Sequence, residues 1–99
     1  MIEEASYRIG VLTVSLQIPG ASSLKAKRGV LKSLKERIRN RFNVSIAEVG
    51  QQNKWQVSVL AIVNVGNDGK HLDSTLQNLL SFIEKSGNVY LCEHDFTLY

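Results

Sequence analysis

The stretch WQVSVLAIVNV, Trp55 to Val65, is apolar on both of its faces when the chain is extended. Val57, Val59, Ala61, Val63 and Val65 fall on one side, Leu60 and Ile62 on the other. A run this rich in β-branched residues and free of charge past Trp55 predicts a central strand, buried on both sides. It is too short to span a bilayer, and Ser58 and Asn64 interrupt it.

Working outward, Gly66 to Gly69 (GNDG) turns the chain into a helix with Asp68 as its cap. Leu72, Leu76, Leu79, Leu80 and Ile83 recur at helical spacing, Gly87-Asn88 ends the pattern, and Val89 to Tyr99 reads as a last strand. In the other direction lies a polar turn, Gly50 to Asn53 (GQQN), and before it a strand from Val44 to Val49. A longer helix precedes that strand. Ser22 or Ser23 caps it, Leu24, Leu31, Leu34, Ile38 and Phe42 form its apolar stripe with Val30 on the flank, and Asn43 stops it. The first strand, Arg8 to Ile18, alternates Leu12, Val14, Leu16 and Ile18 with Thr13, Ser15 and Gln17, and Pro19-Gly20 ends it.

The order β-α-β-β-α-β predicts a single α+β domain over residues 1–99: a ferredoxin-like sandwich, with a four-stranded antiparallel sheet and both helices on one face. Right-handed crossovers put the first and third strands in the middle, and these are the two most apolar. Ile9 and Val11 oppose the apolar face of the first strand, and the third is apolar on both sides. Only one sheet face can lie under the helices. An apolar face left outside predicts a homodimer, with polar Thr13, Ser15, Gln17, Gln56 and Ser58 arguing for a monomer.

Hydrophobic residues make up 43% of the 99, enough for one packed core. The acidic start MIEEASYR lacks the charge and apolar run of a secretion signal, and Cys92 has no partner for a disulfide. A cytoplasmic protein without a membrane segment is expected. The net charge of +3 conceals an asymmetry. Ser23 to Phe42, SLKAKRGVLKSLKERIRNRF, carries eight of the twelve Lys and Arg and one acid, Glu36, for a local charge of +7 and −4 elsewhere.

On a helical wheel Lys25, Arg28, Lys32, Lys35 and Arg39 occupy one arc of about 80° beside the apolar stripe, extended over about 21 Å. A solvated helix face is the ordinary explanation, and cations near a helix C-terminus are favoured by its dipole. That accounts for Lys35, Arg37, Arg39 and Arg41. It does not account for Lys25, Lys27 and Arg28 in the first turns, where the dipole opposes cations. Like charges three or four apart cost roughly 0.2–0.5 kcal/mol per pair. Free N–H groups behind Ser22 and Ser23, with Lys25, Lys27 and Arg28 beside them, make a candidate anion seat. The stripe would then follow a nucleic-acid backbone without reading bases.

Other chemistry is thin. GNDG fits the GXXG pattern of RNA-binding KH domains, but it joins a strand to a helix and Asp68 would repel phosphate. The third strand offers no aromatic beyond Trp55 for base stacking. Cys92 and His94 share a parity with Tyr90 and Phe96 and read as partly buried packing residues, and two ligands do not make a metal site. His71 is expected at the surface. No nucleophile with a base, phosphate-binding loop or carboxylate pair can be read, so no enzyme, cofactor or metal is expected.

The segment IPGASSLKAKRGVLKSLKERIRNRFNVSIAEVG followed by QQNKWQ resembles the core of the YlxP-like family of small bacterial proteins. The pattern SLKxKRxVLKSLxxRxRNRFNVSxAE carries the likeness, which runs from about Gly10 through Asp68 and more loosely beyond. The resemblance implies a ferredoxin-like fold and no assigned enzymatic activity. It also implies, through genes neighbouring those for transcription elongation, translation initiation and ribosome maturation, a role near RNA or the ribosome. Two departures stand out. Ala26 occupies a position where members often carry an acid that completes a capping box with Ser23, and Gly50 and Gln52-Asn53 lack the Asp common there. Two functions are therefore expected to compete. One is a non-enzymatic accessory factor gripping ribosomal RNA or ribosomal particles through Lys25, Arg28, Lys32, Lys35 and Arg39. The other is a homodimeric protein-interaction module that binds no nucleic acid.

Overall fold

A computed structural model describes residues 2–99. Strand β1 (Arg8–Gln17) leads to helix α1 (Leu24–Arg41), strands β2 (Ser45–Gly50) and β3 (Val57–Gly66), helix α2 (Gly69–Glu84) and strand β4 (Tyr90–Leu98). The sheet is antiparallel throughout, in the order β2-β3-β1-β4, which puts the two most apolar strands in the centre. This is the ferredoxin-like arrangement read from the sequence. Among the described residues no helix is long and apolar enough to cross a membrane.

The parity of β1 and β3 decides which sheet face meets the helices. Leu12, Val14 and Leu16 of β1 and Leu60 and Ile62 of β3 are buried there with Leu31, Leu34 and Ile38 of α1 and Leu76, Leu79 and Ile83 of α2. The opposite row of β3, from Val57 to Val65, has no helix over it and is half-buried to exposed. β3 is therefore central in the sheet but covered on one side only.

Each edge strand takes up one extra residue. In β2, Glu48 faces Leu60 and Gly50 faces Val59, so Val49 is the addition. In β4, Leu91 faces Leu16 and Glu93 faces Ser15, so Cys92 is the addition. The second irregularity takes Cys92 out of the alternation that His94 and Phe96 keep. Leu91, His94 and Phe96 pair with the inward Leu16, Val14 and Leu12, but on this edge strand His94 is exposed, as is Cys92, so neither is the partly buried packing residue expected from the sequence.

The helix boundaries follow their caps. Ser23 Oγ accepts from the Ala26 amide at 3.0 Å, and Asp68 Oδ1 accepts from the Lys70 amide at 3.0 Å. Asn64 is buried at the β3–α2 junction, where its Nδ2 donates to the Leu72 carbonyl at 3.2 Å. Its Oδ1 is the one buried side-chain polar atom without a partner among the described residues. That oxygen faces Gly10, where a Cβ would come within 2.4 Å of it and 3.1 Å of Leu76 Cδ1.

Two glycine substitutions should consequently move stability in opposite directions. Gly10→Ala overpacks a closed site and should cost about 1–3 kcal/mol. Gly29→Ala adds a methyl to an open position in the middle of α1, where nothing lies within 4 Å, and should stabilise by about 1 kcal/mol. Urea denaturation of the two variants measures both.

Candidate nucleic-acid interface

The stripe on α1 divides in the structure. Lys25, Arg28 and Lys32 are exposed, and the one ion pair among the described residues involves none of them. Lys35 is half-buried on the flank toward β2, near enough for its charge to act on Glu48. Arg39 donates from Nη2 to the Ile46 carbonyl of β2 at 3.1 Å. Three members of the row are thus free, and two lean on the neighbouring strand.

The candidate anion seat loses one member. Lys27 is 1% exposed and turns into the protein. Its Nζ lies 2.9 Å from Glu48 Oε2 and donates to the Gln51 carbonyl at 2.6 Å. Ser58 Oγ donates to the same carboxylate oxygen at 2.7 Å. Lys27 has no access to an external anion, and it is not an exposed cation working against the dipole. The Ser23 hydroxyl is spent on its own helix, and α1 has no acid in its first turn. What remains open at this end is Ser22 with Lys25 and Arg28.

The Lys27 network explains the polar turn as well. Gln51 has φ of 58°, a left-handed conformation that side chains other than glycine seldom adopt. There its carbonyl meets the lysine ammonium. The sheet supplies the other partners from inward positions, Glu48 on β2 beside buried Ile46 and Ser58 on β3 beside buried Leu60. Gln56 completes the anchoring, its Nε2 donating to the carbonyls of Pro19 and Ala21, which holds the approach to α1 against the start of β3. The wheel position of Lys27, between Leu34 and Ile38, was the signal for its burial.

Burial pushes the Glu48 carboxyl up, but hydrogen bonds from Lys27 and Ser58, with the positive charges of Lys27 and Lys35, outweigh it. The group is held below its ordinary value of 4.5. The cluster is closed to substrate on the lysine side, and its chemistry is that of a clamp. His71 is exposed at the start of α2, as its position in the sequence suggested. Among the described residues no three of His, Cys, Asp or Glu come together as metal ligands.

The architecture and this surface define a small α+β protein. A basic helix lies across one face of its antiparallel sheet, and a buried lysine pins that helix by its first turns. The chain belongs to the family described as "Protein of unknown function (DUF503)", whose model matches residues 9–96. It is 41% identical over 76 residues to "Uncharacterized protein YlxP" of Bacillus subtilis (strain 168), covering 77% of this chain and 83% of that protein. Among solved structures it resembles "De novo designed protein Foldit4" with a TM-score of 0.54, over 95% of this chain and 97% of the other. At 14% identity that likeness concerns the fold alone.

The clamp makes an ordered prediction. Glu48→Gln leaves a buried ammonium without its counter-charge and should cost about 3–5 kcal/mol. Lys27→Met leaves a carboxylate that water can still reach, its side chain being 18% exposed, and should cost less, about 1–3 kcal/mol. The double variant Lys27→Met/Glu48→Met should recover much of the loss, which a denaturation cycle of the four proteins would show. Because Glu48 has a depressed folded-state pKa, its stabilisation is complete above its unfolded value of 4.5 and fades as pH falls through the folded value. Stability of the parent should fall in that acid range, and Glu48→Gln should flatten the fall.

Proposed function

We propose that this protein is a non-enzymatic RNA-binding accessory factor, acting on ribosomal RNA or ribosomal particles and gripping the phosphate backbone with α1. The observation that supports it is the exposed, unpaired row Lys25, Arg28 and Lys32, continued by Lys35 and Arg39. Spacing of i, i+3 and i+7 keeps the three free bases on one side of the helix, over about 10 Å of its axis. The ion pair of Lys27 removes one cation from the surface, and these three form no ion pair among the described residues, with Glu36, one turn after Lys32, the one acid of the helix. Lys25 and Arg28 remain in the first turns, where the dipole disfavours a cation and favours an anion beside it. Contacts of this kind fix position on a backbone and carry no base sequence. The ribosomal assignment rests on the family resemblance.

Fluorescence anisotropy with ribosomal RNA fragments across a salt series tests this reading. Affinity should fall with salt by about 0.7–0.9 log units per phosphate contacted, per log unit of salt. Lys25→Glu/Arg28→Glu/Lys32→Glu should weaken binding more than about tenfold and make the slope shallower by about 2. Unchanged affinity and slope would sink it.

A second reading is favoured by the open sheet face. Every outward position of β3 is Val or Ala, and Val49 and Val65 are 54% and 66% exposed. This supports a homodimer formed through that face, and in the alternative reading a protein-interaction module without nucleic-acid binding. Light scattering should then report a dimer for the parent and a monomer for Val59→Lys/Val63→Lys. A parent that is monomeric at high concentration would exclude it.

A further inference from the structure

We propose that the cleft between α1 and α2 is a binding site for a phosphate monoester carried on a nucleoside-sized body. The cleft has a volume of about 550 Å³, within the range of small-ligand sites. Arg37 and Arg41 enter it from α1 and Lys85 from the end of α2, and no carboxylate lines it. The exposed amide of Asn78 and hydroxyl of Ser81 stand among these cations as uncharged hydrogen-bonding groups.

The site is on the other flank of α1 from the stripe. On the wheel Arg37 and Arg41 lie about 120–180° from Lys25, Arg28, Lys32, Lys35 and Arg39. It is therefore a separate site, and it does not rest on the RNA reading. The helix dipoles explain why cations are tolerated at Arg41 and Lys85, the ends of α1 and α2. They do not explain why Arg41, Lys85 and Arg37, a turn earlier in α1, line one groove between the antiparallel helices without an acid. Three cations around a hollow repel one another, and a dianionic phosphate is the group that relieves this.

One cation is held in place before any ligand arrives. The Arg41 guanidinium lies 5.4 Å from the centre of the Phe82 ring, and Phe82 meets Phe42 edge to face at 5.8 Å. This cation–π contact takes up none of the guanidinium N–H donors, which can bind two phosphate oxygens as a fork. The space beyond a phosphate, bordered by these two aromatic side chains, suits the flat apolar surface of a nucleoside. The phosphate monoester could belong to a free nucleotide or to the end of an RNA strand, and both present the same chemistry.

Two-dimensional NMR of the intact protein, reading the arginine Nε–H signals and the amides of Phe82 and Ser86, tests the site. The probes are inorganic phosphate, AMP, and a short RNA strand with and without a 5′-phosphate. Saturable shifts at Arg41 and Phe82 with AMP or the phosphorylated strand are expected, and weaker ones with inorganic phosphate. Preference for the 5′-phosphorylated strand over AMP identifies a strand end as the source, and parity between them identifies a free nucleotide. Arg41→Lys keeps the charge but loses the planar fork and should weaken AMP about tenfold. Ser81→Asp puts a carboxylate in the exposed cleft without touching the core and should abolish the shifts. Stripe variants at Lys25, Arg28 and Lys32 should leave them unchanged. Absence of saturable shifts with every probe at millimolar concentration overturns the proposal, as do undiminished shifts in folded Ser81→Asp.

Discussion

The contact between Lys27 and Glu48 organises much of the rest. It joins three parts of the chain that the apolar core alone would leave loosely related: the first turns of α1, the edge strand β2 and the turn that follows it. Farther along α1 the packing is apolar, through Leu31, Leu34 and Ile38, and fixes the height of the helix over the sheet. At the N-terminal end the fixing is polar and directional. An ammonium that must meet both a carboxylate and a carbonyl tolerates little rotation of its helix. With Lys27 pointing down, Lys25 and Arg28 lie about 160° and 100° away around the axis and are turned to solvent. The surface row follows from the buried residue.

A buried ion pair of this sort is a modest source of net stability, because removing two charges from water offsets most of their attraction. Its effect lies in specificity of register. Ser58 adds a hydrogen bond to the same carboxylate oxygen and the Gln51 carbonyl satisfies a second lysine donor, so the cluster spends most of its polar valence internally. The left-handed Gln51 is tolerable in this setting because the conformation that strains it also delivers its carbonyl to the lysine.

The order of elements, the central pair of strands and the Asp68 cap were legible, and the first cap narrowed to Ser22 or Ser23, because each rests on local chemistry. Two-residue alternation, apolar stripes at helical spacing and a Ser or Asp before them leave little freedom. The stripe could be placed on a wheel for the same reason. What was not legible was the fate of a single side chain. Composition groups Lys27 with its basic neighbours, although its angle on the wheel lies between Leu34 and Ile38. Its partners, Glu48 and Ser58, are brought to it by the sheet, and no spacing along the chain announces that pairing. Cys92 is the inserted residue of β4, and nothing in YLCEHDFTL marks where the insertion falls; His94 keeps the inward register and is exposed all the same at the sheet edge, which alternation along the chain does not reveal. The cleft depends on how two helices distant in sequence pack side by side, which is a tertiary fact from the start.

The two irregular strands have a consequence for how the molecule can associate. β2 and β4 are the outer strands of the sheet, and each carries its extra residue within the paired stretch. A strand so interrupted presents a broken ladder of amides and carbonyls to the outside, a poor template for adding a foreign strand. β3, the most aggregation-prone sequence in the chain, is kept two strands from one boundary and shielded by β2 from the other. Self-recognition through hydrogen-bonded extension of the sheet, the route to fibres, is discouraged at both ends. Any assembly this protein makes is steered to its broad surfaces, the helical side and the bare sheet side, where contact can be closed and finite.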